Sequence, residues 1–235
     1  MMISKKPNLI VRACTKQEEL KGIKEILDNY DWYATQGYNP TLPQHEAIEL
    51  IKKKQNVNKT MQEIFKNDFG ELYSRSEHIY SKGITTINQQ IGRLDNVSPR
   101  MKKLGLKVFP QYDIKLTQYG PGGSYGWEGN NGIVNLQINS DGKFRIPDPI
   151  ETILHEIIHL GIEESIVEKF GLPHWTKERM VDLIVSSNFK DVVPEYYMQK
   201  PGDTRIDKYL NSTFGSLSSK VRRFKEDVLD IDYQR

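Results

Sequence analysis

The stretch ILHEIIHLGIEE, residues 153–164, carries two histidines and a glutamate whose spacing suits metal chemistry. His155 and His159 are four residues apart, and in a helix positions i and i+4 share one face about one turn apart. Two imidazoles so placed can hold one zinc ion. Glu156 would be rotated about 100° from His155 around the helix. From there it reaches a water beside the ion without being a ligand, as a general base must. The neighbours Ile153, Leu154, Ile157, Ile158 and Leu160 make the segment apolar. Polar groups buried in such a setting need partners, and a metal ion is one.

Zinc hydrolases take a third protein ligand and keep one position for water. Glu163, Glu164, His174 and Glu178 are the candidates downstream. Glu163 continues the same face but lies about 9 Å along the axis from an ion shared by the histidines, which is too far. Glu164 points further round. His174, in the connector after the helix, and Glu178, on the next helix, remain.

The spacing predicts the elements that must position these residues. Asp148 is an N-cap, Pro149 fits the first helical position, and Glu151 completes a capping box. The helix runs over 149–170 and stops at Gly171, with Pro173 beyond it. A second helix starts at Thr176. Strands are predicted over 112–119 and over 132–138, where Val134, Leu136 and Ile138 share one face. The glycine-rich GPGGSYGWEGNNG between them reads as a turn region, with Gly120, Gly122, Gly123, Gly126 and Gly129 forming a lid near the cleft. GIVNLQI, which precedes the 149–170 helix, reads equally as a packed sheet strand with no direct role or as a strand able to pair with an extended peptide. The first hundred residues read as helical, with amphipathic or polar helices over 16–29, 44–66 and 71–94. A polar helix is expected near 216–229.

Composition sets the remaining bounds. The chain has 235 residues, 33 basic and 31 acidic, for a net charge of +2. This balance, with only short basic runs such as Lys52-Lys53-Lys54 and Arg222-Arg223, argues against a nucleic-acid partner. One cysteine, Cys14, excludes an internal disulfide. No apolar run reaches the ~18 residues of a membrane span. No secretory signal is evident at the N-terminus. The expectation is a cytoplasmic protein with no membrane partner and an oligomeric state the sequence does not set.

HEIIH followed by KERMVD resembles the gluzincin metallopeptidases, the thermolysin-like class. Their pattern is His-Glu-x-x-His, a second helix some twenty residues on, and a glutamate ligand there, often with an aspartate four residues later. Glu178 and Asp182 have that spacing. The resemblance covers about residues 155–182 and the preceding strands. It implies an α+β fold, mainly helical, in which a small zincin-like β-sheet precedes the HExxH helix and a second ligand-bearing helix follows. The expected organisation is a helical region over 1–100 and a zincin-like region over 101–235, forming one unit. The implied activity is that of a zinc-dependent metallopeptidase, a hydrolase of peptide or protein substrates. Zn2+ would be held by His155, His159 and Glu178, with Glu156 as general base. Asp182 would accept the free ring N–H of His155 and fix its orientation. Relatives add an oxyanion donor from beyond the second helix. Tyr196 and Tyr197 suit that catalytic role, as do His174 and Tyr125.

The chain departs from neighbouring patterns. Ser165 and Ile162 stand where a metzincin needs histidine and glycine. Lys177 stands where gluzincins usually have asparagine, which puts that substrate contact in doubt. The alternative is a non-proteolytic zinc-binding protein on a zincin scaffold, acting through a protein partner. An intact Glu156 argues against it, because a structural zinc site has no use for a base.

Overall fold

The computed structural model describes residues 6–55, 59–212 and 214–232. Its core is a mixed four-stranded sheet flanked by helices. In order across the sheet stand β1 (Asn8–Ala13), β2 (Gln111–Thr117), β4 (Asn131–Gln137) and β3 (Gly123–Glu128). β1 and β2 run parallel, as do β2 and β4, whereas β3 is antiparallel to β4. Ile114, Leu116, Val134 and Leu136 are buried on the sheet. No helix among the described residues is long and apolar enough to cross a membrane.

Two elements differ from the sequence reading. β1 lies where no strand is expected, in a segment with half-buried residues and weak alternation. Its partner is about a hundred residues away, and such long-range pairing leaves no local signal. Within the glycine-rich stretch, residues 123–128 form β3, an edge strand, between a bend at 121–122 and a turn at 129–130. GIVNLQI, assigned to β4, lies inside the sheet. Its alternate residues Val134 and Leu136 are buried and β2 and β3 pair with it on both sides.

The N-terminal helices are α1 (Lys16–Asp28), α2 (Tyr30–Thr35), α3 (Glu46–Lys52), α4 (Lys59–Arg75), α5 (Glu77–Gln90) and α6 (Val97–Lys103). The helix expected over 44–66 is therefore two, and residues 56–58 between them lie outside the described residues. Buried Glu19 of α1 ties this layer to the sheet region. Its carboxylate accepts from Tyr80, Thr117 and the Gln118 backbone.

α7 (Pro149–Ile162) packs on β3 and β4. It is buried almost all round, with His155 its one half-buried residue. A helix so apolar needs cover on every side, and the sheet, α8 (His174–Asn188) and the N-terminal layer supply it. Asp148 caps α7, accepting from the Ile150 N–H at 3.0 Å. Arg93 binds the same carboxylate through two bonds, at 3.0 and 2.7 Å, and also donates to the Val192 carbonyl. The expected capping box does not form. Glu151 instead accepts the backbone N–H of Tyr197 at 3.1 Å. After Ile162 the backbone widens into a π segment, Glu163–Glu168. The chain then turns at Gly171, whose φ of +61° suits glycine. α8 begins at His174, earlier than the expected Thr176, which places His174 in its first turn.

Asp148 thus supports both the start of α7 and Arg93. Replacing it with alanine should lower stability by at least the ~1 kcal/mol typical of a lost N-cap. A urea melt with an unchanged midpoint would contradict this role.

Candidate metal centre

α7 presents His155 and His159 on one face, and α8 presents Glu178 toward them. The two His Nε2 atoms are 3.0 Å apart. Glu178 Oε2 lies 3.3 Å from His155 Nε2 and 3.2 Å from His159 Nε2. Donors around a tetrahedral zinc at about 2.0–2.1 Å are separated by about 3.3–3.4 Å. The triangle thus has nearly the dimensions of one face of such a site. Among the described residues these three form a buried group able to hold a metal ion. Two imidazoles and one carboxylate suit a first-row transition metal better than calcium or magnesium.

The ionisation of the group follows from its burial. Burial disfavours the His155 cation, but Glu178, Glu156 and Asp182 outweigh it and raise the imidazole to about 9. Burial lowers His159 to about 4 against the pull of Glu178. For Glu178 burial acts upward, and the two histidines override it and hold the carboxylate ionised. Without a metal charge, burial pushes Glu156 up to about 7, with His155 opposing. A proton on His155 therefore offsets the Glu178 carboxylate in the metal-free protein.

A relay orients His155. Its Nδ1 lies 2.6 Å from the Tyr196 hydroxyl, which donates to Asp182 Oδ1 at 2.7 Å. Burial and then Asp182 push the Tyr196 phenol far up, so it keeps its proton. Tyr196 must then accept from His155 Nδ1–H, leaving Nε2 for the metal side. Asp182 was expected to accept from His155 directly. The distance of 3.7 Å is too long for that, because the Tyr196 hydroxyl fills the gap. Tyr196 is correspondingly an orienting residue, not a free oxyanion donor. His159 Nδ1 is buried and has no hydrogen-bond partner among the described residues.

The site opens into a cavity of about 600 Å3 whose walls include Trp32, Tyr38, Gly123, Glu156, His174 and Tyr197. Glu156 stands outside the ligand triangle. Gly123 of β3 lies against it, and a Cβ there would meet Glu156 Oε1 at 2.3 Å. Any larger residue there would push that carboxylate and the Thr152 methyl aside. Tyr125 stacks on His159 with ring centres 4.7 Å apart. Its hydroxyl donates to Glu163 and accepts from Lys177 Nζ at 2.7 Å. Glu164 pairs with Lys107 away from the triangle. Tyr197 is 62% exposed. His174, the rival third ligand, stays outside the triangle. Its Nδ1 is 3.7 Å from Glu178 Oε1, and its Nε2 shares a hydrogen bond with Tyr38 at 2.9 Å.

The sequence reading missed Tyr38, which is 136 positions from His174 and has no local signature. It also missed Gln199, whose amide donates to Glu178 Oε2 at 2.9 Å. The only signal for Gln199 was its place three residues after Tyr196, in a stretch already singled out for its tyrosines. No protein-family model, no curated protein and no solved structure matches this chain. Its function must be inferred from its own geometry.

Elemental analysis should find about one metal ion per chain. Alanine at His155, His159 or Glu178 should abolish tight binding, whereas His174→Ala should retain it. Loss in His174→Ala with retention in Glu178→Ala would reverse the ligand assignment. Ligation also requires a neutral His155. Loading at neutral pH should therefore release about one proton per ion, and affinity should rise as pH climbs toward about 9. Calorimetry in buffers of different ionisation enthalpy reads that proton, and buffer-independent heats would contradict the charge state.

Proposed function

We propose that this protein is a zinc-dependent peptidase of the gluzincin type, with His155, His159 and Glu178 as ligands and Glu156 as general base. The observation that carries the reading is the buried donor triangle with a separate carboxylate beside it, facing the same cavity. A structural zinc site closes its coordination and needs no such group. Zinc, when bound, lowers the pKa of water and polarises a carbonyl.

The chain's own groups supply the rest of the chemistry. Glu156 takes a proton from the attacking water onto a carboxylate oxygen and passes it to the departing amine. Its burial favours this cycle, because a carboxylate raised toward neutrality both accepts and releases a proton readily. Gly123 keeps the space Glu156 needs. The developing oxyanion needs a donor besides the metal. Tyr196 and Tyr125 are committed to Asp182 and Glu163, so we assign that role to the Tyr38–His174 pair on the cavity wall.

The zincin-like arrangement is part of the same reading. β3 is antiparallel to its neighbour, forms the sheet edge, and packs against α7. An extended peptide can add to such an edge through main-chain hydrogen bonds, which would draw its backbone past Glu156. This role, open for GIVNLQI in the sequence reading, passes to β3.

Glu156→Gln keeps the shape and removes the base. Hydrolysis in a peptide-library screen should fall by about 10²–10⁴-fold, with metal content unchanged. Equal cleavage by wild type and Glu156→Gln would refute the assignment.

A further inference from the structure

Among the described residues, Gln199 is the one neutral amide that touches the donors of the candidate centre. It lies between α8 and the short helix α9 (Asp207–Leu210). Its backbone N–H donates to Asp182 Oδ2 at 2.7 Å, anchoring it beside α8. From there its side chain reaches two of the three donors, Glu178 and His155. The amide nitrogen stands 2.9 Å from Glu178 Oε2 and 3.5 Å from His155 Nε2. Both distances bracket the ~3.3–3.4 Å edge of a tetrahedral zinc site. The amide head therefore stands beside the edge between Glu178 and His155, on a side away from Tyr196 and within reach of an ion held by these donors. The rear positions are taken by Tyr196 on His155 Nδ1 and by His174 beside Glu178 Oε1.

An amide can serve this position in two states. In the metal-free protein its N–H group donates to the Glu178 carboxylate. A half-turn of the terminal torsion exchanges nitrogen and oxygen at little cost in shape. It turns the carbonyl oxygen, an acceptor, toward a cation. A neutral carbonyl oxygen is a poorer ligand for zinc than imidazole, so it yields readily to a competitor.

We propose that the side-chain carbonyl of Gln199 is the fourth metal donor of the resting site, so that the centre rests closed and opens when this side chain swings aside. The inference rests on the metal reading above and adds a regulatory step to it. A substrate or inhibitor must displace Gln199 before it reaches the metal. The segment that carries Gln199 also carries Tyr196 and Tyr197, so its docking on Asp182 and Glu151 sets how readily the site opens.

The full chain loaded with Co2+ provides the test, with azide titrated and the visible spectrum recorded. A donor that fills the fourth position about nine-tenths of the time weakens a competing ligand about tenfold. Gln199→Ala, and Gln199→Leu as a bulkier second variant, should each bind azide about tenfold more tightly than wild type. Gln199→Glu should bind azide more weakly than wild type and retain Co2+ longer against a chelator. If Gln199 merely oriented Glu178, the new carboxylate would repel Glu178 and release Co2+ sooner. Unchanged azide affinity in the alanine and leucine variants, or faster Co2+ loss from Gln199→Glu, overturns the proposal and leaves the metal reading intact. Failure of the wild-type chain to bind Co2+ overturns both.

Discussion

Two imidazole nitrogens and a carboxylate oxygen converge within 3.3 Å of one another in the interior of this protein. That arrangement is unfavourable unless a positive charge joins them, because a buried unpaired carboxylate costs on the order of several kcal/mol. In the metal-free protein a proton on His155 supplies the charge. A divalent metal supplies it more fully and satisfies all three donors at once. The neighbouring polar groups are arranged around this requirement. Asp182 and Tyr196 hold His155 in one orientation, and Gln199 stands over Glu178.

Holding three donors at this spacing requires rigid supports. α7 is locked by burial on nearly every side and by the cap at Asp148, which Arg93 secures from the N-terminal part of the chain. α8 brings Glu178 and Asp182 to α7 one helical turn apart, which places the ligand and the acceptor of the relay on one face. The N-terminal region is part of this framework. It contributes β1 to the sheet, Arg93 to the helix cap, and Trp32 and Tyr38 to the cavity wall. A molecule entering the cavity would thus meet side chains from both halves of the chain.

Residues at short helical spacing were the most legible in the sequence. The pair at 155 and 159 and the cap at Asp148 depend on local geometry, and their elements formed as expected. The mixed helix and sheet character was legible for the same reason. Glu178 came only through resemblance to a family pattern, since spacing alone left His174 equally open. What escaped was long-range. β1 needs a partner beyond residue 110, Tyr38 meets His174 across most of the chain, and Tyr196 enters between Asp182 and His155 from a loop. β3 was misread because glycine usually marks turns. Here Gly123 makes room for the Glu156 carboxylate, a reason visible only once the strand and helix are placed together.

Diffraction from zinc-soaked crystals, with anomalous data collected across the zinc edge, decides whether His155, His159 and Glu178 hold a metal ion together. One strong peak is expected about 2.0–2.1 Å from His155 Nε2, His159 Nε2 and Glu178 Oε2 together, with Glu156 not bound to the ion. A peak bound elsewhere, or one that takes Glu156 as a ligand in place of Glu178, would contradict the ligand assignment.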